Sequence, residues 1–196
     1  MTLVELIGRA DERSLAASAV ACLDRCLPLL EYVEGAGRIG LDTDEALRPL
    51  WVAVEGGDAW LGQLRRVAAV VQRVAGAAPG ELAPFAIRMA AAVPAAYHGP
   101  ELRDWAEDCS AAVLEVHLRL DGVATGNDEA RVKAYRNGET DGISPLTAGE
   151  LRRQAQLLEM LAEGSGGGGL NHALQLSNEG KRVLRAAASR RARSRG

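Results

Sequence analysis

Residues 14–33 read SLAASAVACLDRCLPLLEYV, and this stretch decides the fold class. Leu15, Ala19, Cys22, Cys26, Leu30 and Val33 recur at steps of three and four, which on a helix places them in one apolar stripe. Asp24, Arg25 and Glu31 interrupt the run, so it falls short of the roughly 18–20 apolar residues that a membrane span needs. Pro28 lies inside the stripe, where it removes a backbone donor and crowds the carbonyl of Asp24, predicting a kink. Gly35, Gly37 and Gly40 then end the pattern.

Outward from this stretch, the same periodicity returns several times. Leu3, Leu6 and Ile7 fit a short preceding helix, with Asp11 as N-cap of the long one. Leu47, Leu50, Trp51 and Val54 share a face of a second helix that Pro49 should bend or split. A third runs from Asp58 to about Ala75, with Trp60, Leu61, Leu64, Val67 and Val71 inward; a shorter one spans Glu81 to Val93. Pro100 to Leu120 is the second clean amphipathic helix and the natural partner of the first, carrying Leu102, Trp105, Cys109, Val113, Val116 and Leu120. Residues 121–146 lose the pattern and read as a long surface excursion with one helical turn near Ala130. Thr147 caps a sixth stripe of Leu151, Ala155, Leu158 and Leu161.

The chain has 196 residues, 47% hydrophobic and 25% charged, enough apolar material for one sizeable core. Aromatics are only 4%, so Ala, Leu and Val must fill that core, which favours closely approaching helices. The reading is one all-α helical bundle of about six helices over 1–164, a Gly-rich linker at 165–169, and a loosely attached basic C-terminal helix or tail at 170–196.

Charge is unevenly distributed. Residues 181–196 hold Lys181, Arg182, Arg185, Arg190, Arg191, Arg193 and Arg195 and no acid, leaving the rest of the chain with 16 basic against 26 acidic residues, a balance of −10. Lys181, Arg182, Arg185, Arg190 and Arg191 are therefore candidate contacts for an anionic partner, nucleic acid included, although the segment has no aromatic side chain to stack on bases. The start, MTLVELIGRADERS, lacks the basic head and apolar run of a signal peptide, and three cysteines are an odd count, so a cytoplasmic protein with reduced thiols is expected.

No motif calls for a cofactor or a metal. Cys22 and Cys26 lie one turn apart, and Cys109 sits on the partner helix, yet no CxxC or HxxxH supplies further ligands, and buried free cysteines are the plainer reading. The acids Glu101, Asp104, Glu107, Asp108 and Glu115 read as a solvated face, since the Glu-x-x-His of di-iron bundles is absent. Neither Gly-rich stretch follows a strand or ends in Lys-Ser or Lys-Thr, so neither cradles phosphate. Asp24 and Arg25 must be paired with another helix or lie on a flank open to a partner. They join Trp51, Trp105 and the loop residue His98 as candidate partner or ligand contacts, with no catalytic residue assigned. Trp51, Trp60, Trp105 and Cys109 define the alternative, a small-molecule pocket or active site inside the bundle.

The runs CLDRCLPLLEYVEG and EALRPLWVAVEGGDA, with Arg25 and Pro28 after Cys22 and then Trp51, resemble the first half of the YjaG-like bacterial family. AYHGPELRDWAEDCSAAVLEVHLRL is similar in style to the Ala-spaced helices of that family and of helical immunity proteins from polymorphic toxin systems. The resemblance covers about half the chain and implies an all-helical fold; since the family has no assigned activity, it transfers no catalytic residue to this sequence. Because the polar residues fall where solvated faces would put them and do not converge on a pocket, the expectation is a non-enzymatic cytoplasmic protein whose partner is another protein, such as an immunity or accessory factor, without membrane contact.

Overall fold

The first helix, α1 (Leu3–Arg9), opens on a capping box in which the Thr2 hydroxyl accepts from Glu5 N and Glu5 accepts from Thr2 N. Asp11 accepts from Ser14 N at 2.8 Å and starts α2 (Glu12–Cys26). The computed structural model describes residues 1–31, 43–54, 57–77, 80–163 and 168–195. Val33, Gly35, Gly37, Gly40 and residues 165–167 lie outside them, as do the placements expected there. Among the described residues every regular element is helical.

Beyond α2 come α3 (Thr43–Val52), α4 (Gly57–Ala77), α5 (Ala83–Ala91), α6 (Gly99–Leu120), α7 (Asp128–Arg136), α8 (Pro145–Glu163) and α9 (Gly168–Arg195). The all-α expectation holds, with nine α-helices among the described residues where about six were expected.

The extra elements have identifiable causes. The long opening helix does not kink at Pro28; it stops at Cys26 and tightens into a 3-10 turn, Leu27–Glu31. Pro28 has no N–H to give the carbonyl of Asp24, so one rung of the α-ladder is lost where the helix tightens. Pro49, by contrast, leaves α3 unbroken and faces solvent. In the excursion expected at 121–146, the single turn near Ala130 is a nine-residue helix, α7. Its Val132 and Tyr135 pack on Leu114 and Leu118 of α6. Ser144, held by Asp121, accepts from Thr147 N at 3.1 Å and caps α8 three residues before the expected Thr147 cap.

Packing confirms the central pairing of the opening helix with Pro100–Leu120. Every residue of α2 from Ser14 to Cys26 is buried, and α6, α9, α8 and α3 all lie against it. Its alanines let these neighbours approach closely, while Leu15 and Leu23 are fully covered, each contributing roughly 1.5–3 kcal/mol on burial. The C-terminal helix is not loosely attached: Gly168 and Gly169, read as linker, already belong to α9, which buries Ala173, Ser177, Gly180, Lys181, Leu184 and Ala187. Among the described residues no helix is long and apolar enough to cross a membrane.

Candidate functional site: a buried charge cluster and an exposed cationic helix face

The two charges that interrupt the opening stripe are both 1% exposed and point to different neighbours. Asp24 takes α9: its Oδ2 accepts from Ser177 Oγ at 2.8 Å and its Oδ1 pairs with Lys181 Nζ at 3.0 Å. Arg25 takes α8: its Nη2 donates to Glu150 Oε1 at 2.7 Å and lies 3.4 Å from Cys22 Sγ. Consecutive residues on a helix stand about 100° apart, so one dipeptide can address two helices. Asp24 and Arg25 are thus fully buried pairs, not the accessible flank offered to a partner.

Glu150 is the centre of the larger cluster. Oε1 also accepts from Gln154 Nε2 at 2.9 Å, and Gln154 Oε1 accepts from Ser110 Oγ at 2.6 Å. Oε2 accepts from Arg153 Nε at 3.2 Å and stands 3.6 Å from His117 Nε2. His117 Nδ1 lies 2.7 Å from the Val113 carbonyl, which fixes the ring with Nδ1 as the donor. Burial pushes the Glu150 carboxyl up, but Arg25, His117 and Arg153 outweigh it and hold it at about 2. Burial pushes His117 below its ordinary value against the pull of Glu150. Burial likewise opposes the charge on Arg25, and Glu150 more than restores it.

Sequence reasoning missed His117, Glu150, Gln154 and Ser110. The signal was present: Ser110 and His117 fall in phase with Val113 on α6, and Glu150 and Gln154 lie one turn apart on α8. The buried face of α8 is Thr147, Glu150, Gln154, Leu157, Leu158 and Leu161, with Leu151 and Ala155 only half-buried. That face is rotated from the one read from leucine spacing because its first half meets charge rather than hydrocarbon.

The other expected contacts divide by burial. Trp105 is 1% exposed and donates through Nε1 to the Met89 carbonyl; Trp60 donates to Leu50 O and meets Trp105 edge-on at 5.9 Å. Trp51 and Cys109 are buried as well. These side chains fill the space that the pocket reading assigned to a ligand. Two concavities lie elsewhere, one of about 400 Å³ beside Arg65, Gln72 and Val93, and one of about 150 Å³ beside Leu27, Gln63 and Val67. His98 is exposed at the N-cap of α6 and makes no side-chain cap bond.

Cys22, Cys26 and Cys109 are free and buried. Burial raises the Cys22 thiol to about 11 and moves Cys26 and Cys109 upward too, which keeps them protonated and poor nucleophiles. Among the described residues no group of three or more His, Cys, Asp or Glu is arranged to hold a metal ion.

Of the five cations named for an anionic partner, two are committed inward or sideways. Lys181 pairs with Asp24, and Arg191 reaches Glu81 Oε1 at 3.0 Å. Arg182, Arg185 and Arg190 are exposed on the opposite side of α9, joined there by Arg193. No family model, no curated protein and no solved structure matches this chain.

Proposed function

We propose that this is a non-enzymatic helical protein that acts by binding another protein, as an immunity or accessory factor. The observation that carries this reading is the division of charge. Inside, Asp24, Arg25, Glu150 and Lys181 are engaged with one another and hold helices together. Outside, Arg182, Arg185 and Arg190 face solvent on a helix whose other side is packed on the core. Enzymes converge polar groups on an open concavity, whereas the convergent polar groups here are closed in the core. The resemblance to helical immunity proteins in the stretch around residues 95–120 supports the same reading. The test is affinity capture with the full chain from its native host, followed by rebinding of the purified components. A stoichiometric protein partner supports the proposal, and recovery of none overturns it.

The exposed arginines of α9 favour one second reading, nucleic-acid binding. Removing residues 181–196 is an unsuitable test, because it also removes buried Lys181, Leu184 and Ala187 from the core. Charge reversal at Arg182, Arg185 and Arg190 is the clean form. If the unaltered protein binds neither DNA nor RNA at low salt, this reading fails.

A further inference from the structure

We infer that the outer face of α9 is a docking ridge for an acidic helix of a protein partner, carried by Arg182, Arg185, Arg190 and Arg193. This rests on the protein-binding reading above and names the chemistry of the partner.

The ridge is set by helical phase. At about 100° per residue the four arginines fall within an arc of about 140° and span about 16 Å along the axis. The buried residues Ser177, Gly180, Leu184 and Ala187 occupy the other side. The helix cannot turn to hide the arginines, because Lys181 is held by Asp24 on α2 and Gly180 lies directly on Arg25. Arg191, between them in sequence, lies two turns on from Leu184 on the inner side of α9 and pairs with Glu81.

No acid occurs from residue 181 to the last residue, and among the described residues none of the four arginines is in an ion pair. Arg182 with Arg185, and Arg190 with Arg193, are like charges three residues apart, an arrangement that weakens a helix standing alone. Carboxylates brought by a partner relieve that repulsion. The planar guanidinium takes a carboxylate in two parallel hydrogen bonds, so four arginines on one face read a matching row of acids.

Charge elsewhere favours a protein helix over nucleic acid. The rest of the chain has a balance of −10. A long polyphosphate extends past the ridge over a body of net negative charge, while a short acidic helix is confined to the ridge. The exposed face of α9 also has no aromatic side chain for stacking.

The experiment uses the full-length protein and three labelled probes in fluorescence anisotropy at about 50 mM salt. One is a helical peptide with glutamates three, five and three residues apart, matching the arginine spacing. The second has the same composition with the glutamates spread around the helix, and the third is a duplex DNA of about 20 base pairs. The matched peptide is expected to bind about tenfold or more tightly than the scrambled one, and to weaken steeply with salt. The variant R182E/R185E/R190E/R193E is expected to lose that binding while melting at the temperature of the unaltered protein; R152E, at an exposed position of α8, is expected to retain it. Equal binding of both peptides, tighter binding of the duplex, retention by the four-fold variant, or no binding of any probe overturns the ridge. A host partner still captured by the four-fold variant overturns the ridge alone, whereas no partner captured by any form overturns the protein-binding reading.

Discussion

Gly180 is the residue on which the docking of α9 turns, and Gly180→Ala measures it. A Cβ at this position stands 2.3 Å from Arg25 Cδ, 3.3 Å from Arg25 Cγ and 3.4 Å from Arg153 Nε. In an unobstructed helix interior the same change stabilises by about 0.5–1 kcal/mol, because alanine has less backbone freedom to lose. Here neither neighbour can retreat cheaply. Arg25 is 1% exposed and tied to Glu150 at 2.7 Å, and moving it strains a buried pair whose full loss costs about 3–5 kcal/mol. Moving α9 instead stretches Lys181 from Asp24, and overpacking of this kind typically costs about 1–3 kcal/mol. After subtracting the helix gain from the cheaper of these two routes, a net destabilisation of about 0.5–2 kcal/mol follows, a fall in Tm of about 1–8 °C at this chain length. Gly62→Ala is the matched control, since apart from the local backbone of α4 no described atom lies within 4 Å of its Cβ, and it should stabilise by about 0.5–1 kcal/mol. Urea denaturation of the three proteins reads both values. A Gly180→Ala protein as stable as the unaltered one would refute the claim that α9 rests on Arg25.

Glu150→Gln should destabilise by about 3–5 kcal/mol because it leaves Arg25 charged in the core, whereas Arg25→Met combined with Glu150→Leu should recover most of the loss, as seen by denaturant midpoint. Acid should act in the same direction. The His117 pKa is lowered by folding, so its contribution declines as pH falls through its unfolded value of about 6.5; Glu150 is held at about 2 against 4.5, so its contribution is full above pH 4.5 and disappears toward pH 2. Denaturation midpoints between pH 8 and 3 should fall continuously, and the part below pH 4.5 should be missing in the Arg25→Met, Glu150→Leu protein. The three thiols should ignore a disulfide reagent in the native protein and all react in denaturant; rapid native labelling would contradict their burial.

The fold class was legible because the apolar stripes at steps of three and four are long, and because α2 and α6 carry the cleanest of them. Helix ends were less so: Pro28 and Pro49 carry the same local rule, yet one ends a helix and the other does not, and exposure of Pro49 on the outer side decides between them. Asp24 and Arg25 stood out as charges within an apolar stripe. Their partners lie at residues 150, 177 and 181, and periodicity shows which face is buried without showing what it meets. The basic character of the last 16 residues was visible, but its division was not. Only the phase of α9 against α2 separates Lys181, which is core, from Arg182, which is surface. The thin apolar face of α9 suggested weak docking because polar anchors are invisible to a hydrophobic count.

The account stands on α9 being part of the core, anchored by the charged pair in α2, and amide hydrogen exchange of α9 tests that most directly. Protection over residues 173–187 is expected to match that of α2 and α6 in the unaltered protein. In Asp24→Asn it should drop by about tenfold or more while α6 keeps its protection. Exchange of α9 within seconds in the unaltered protein, as in a frayed tail, would contradict the account.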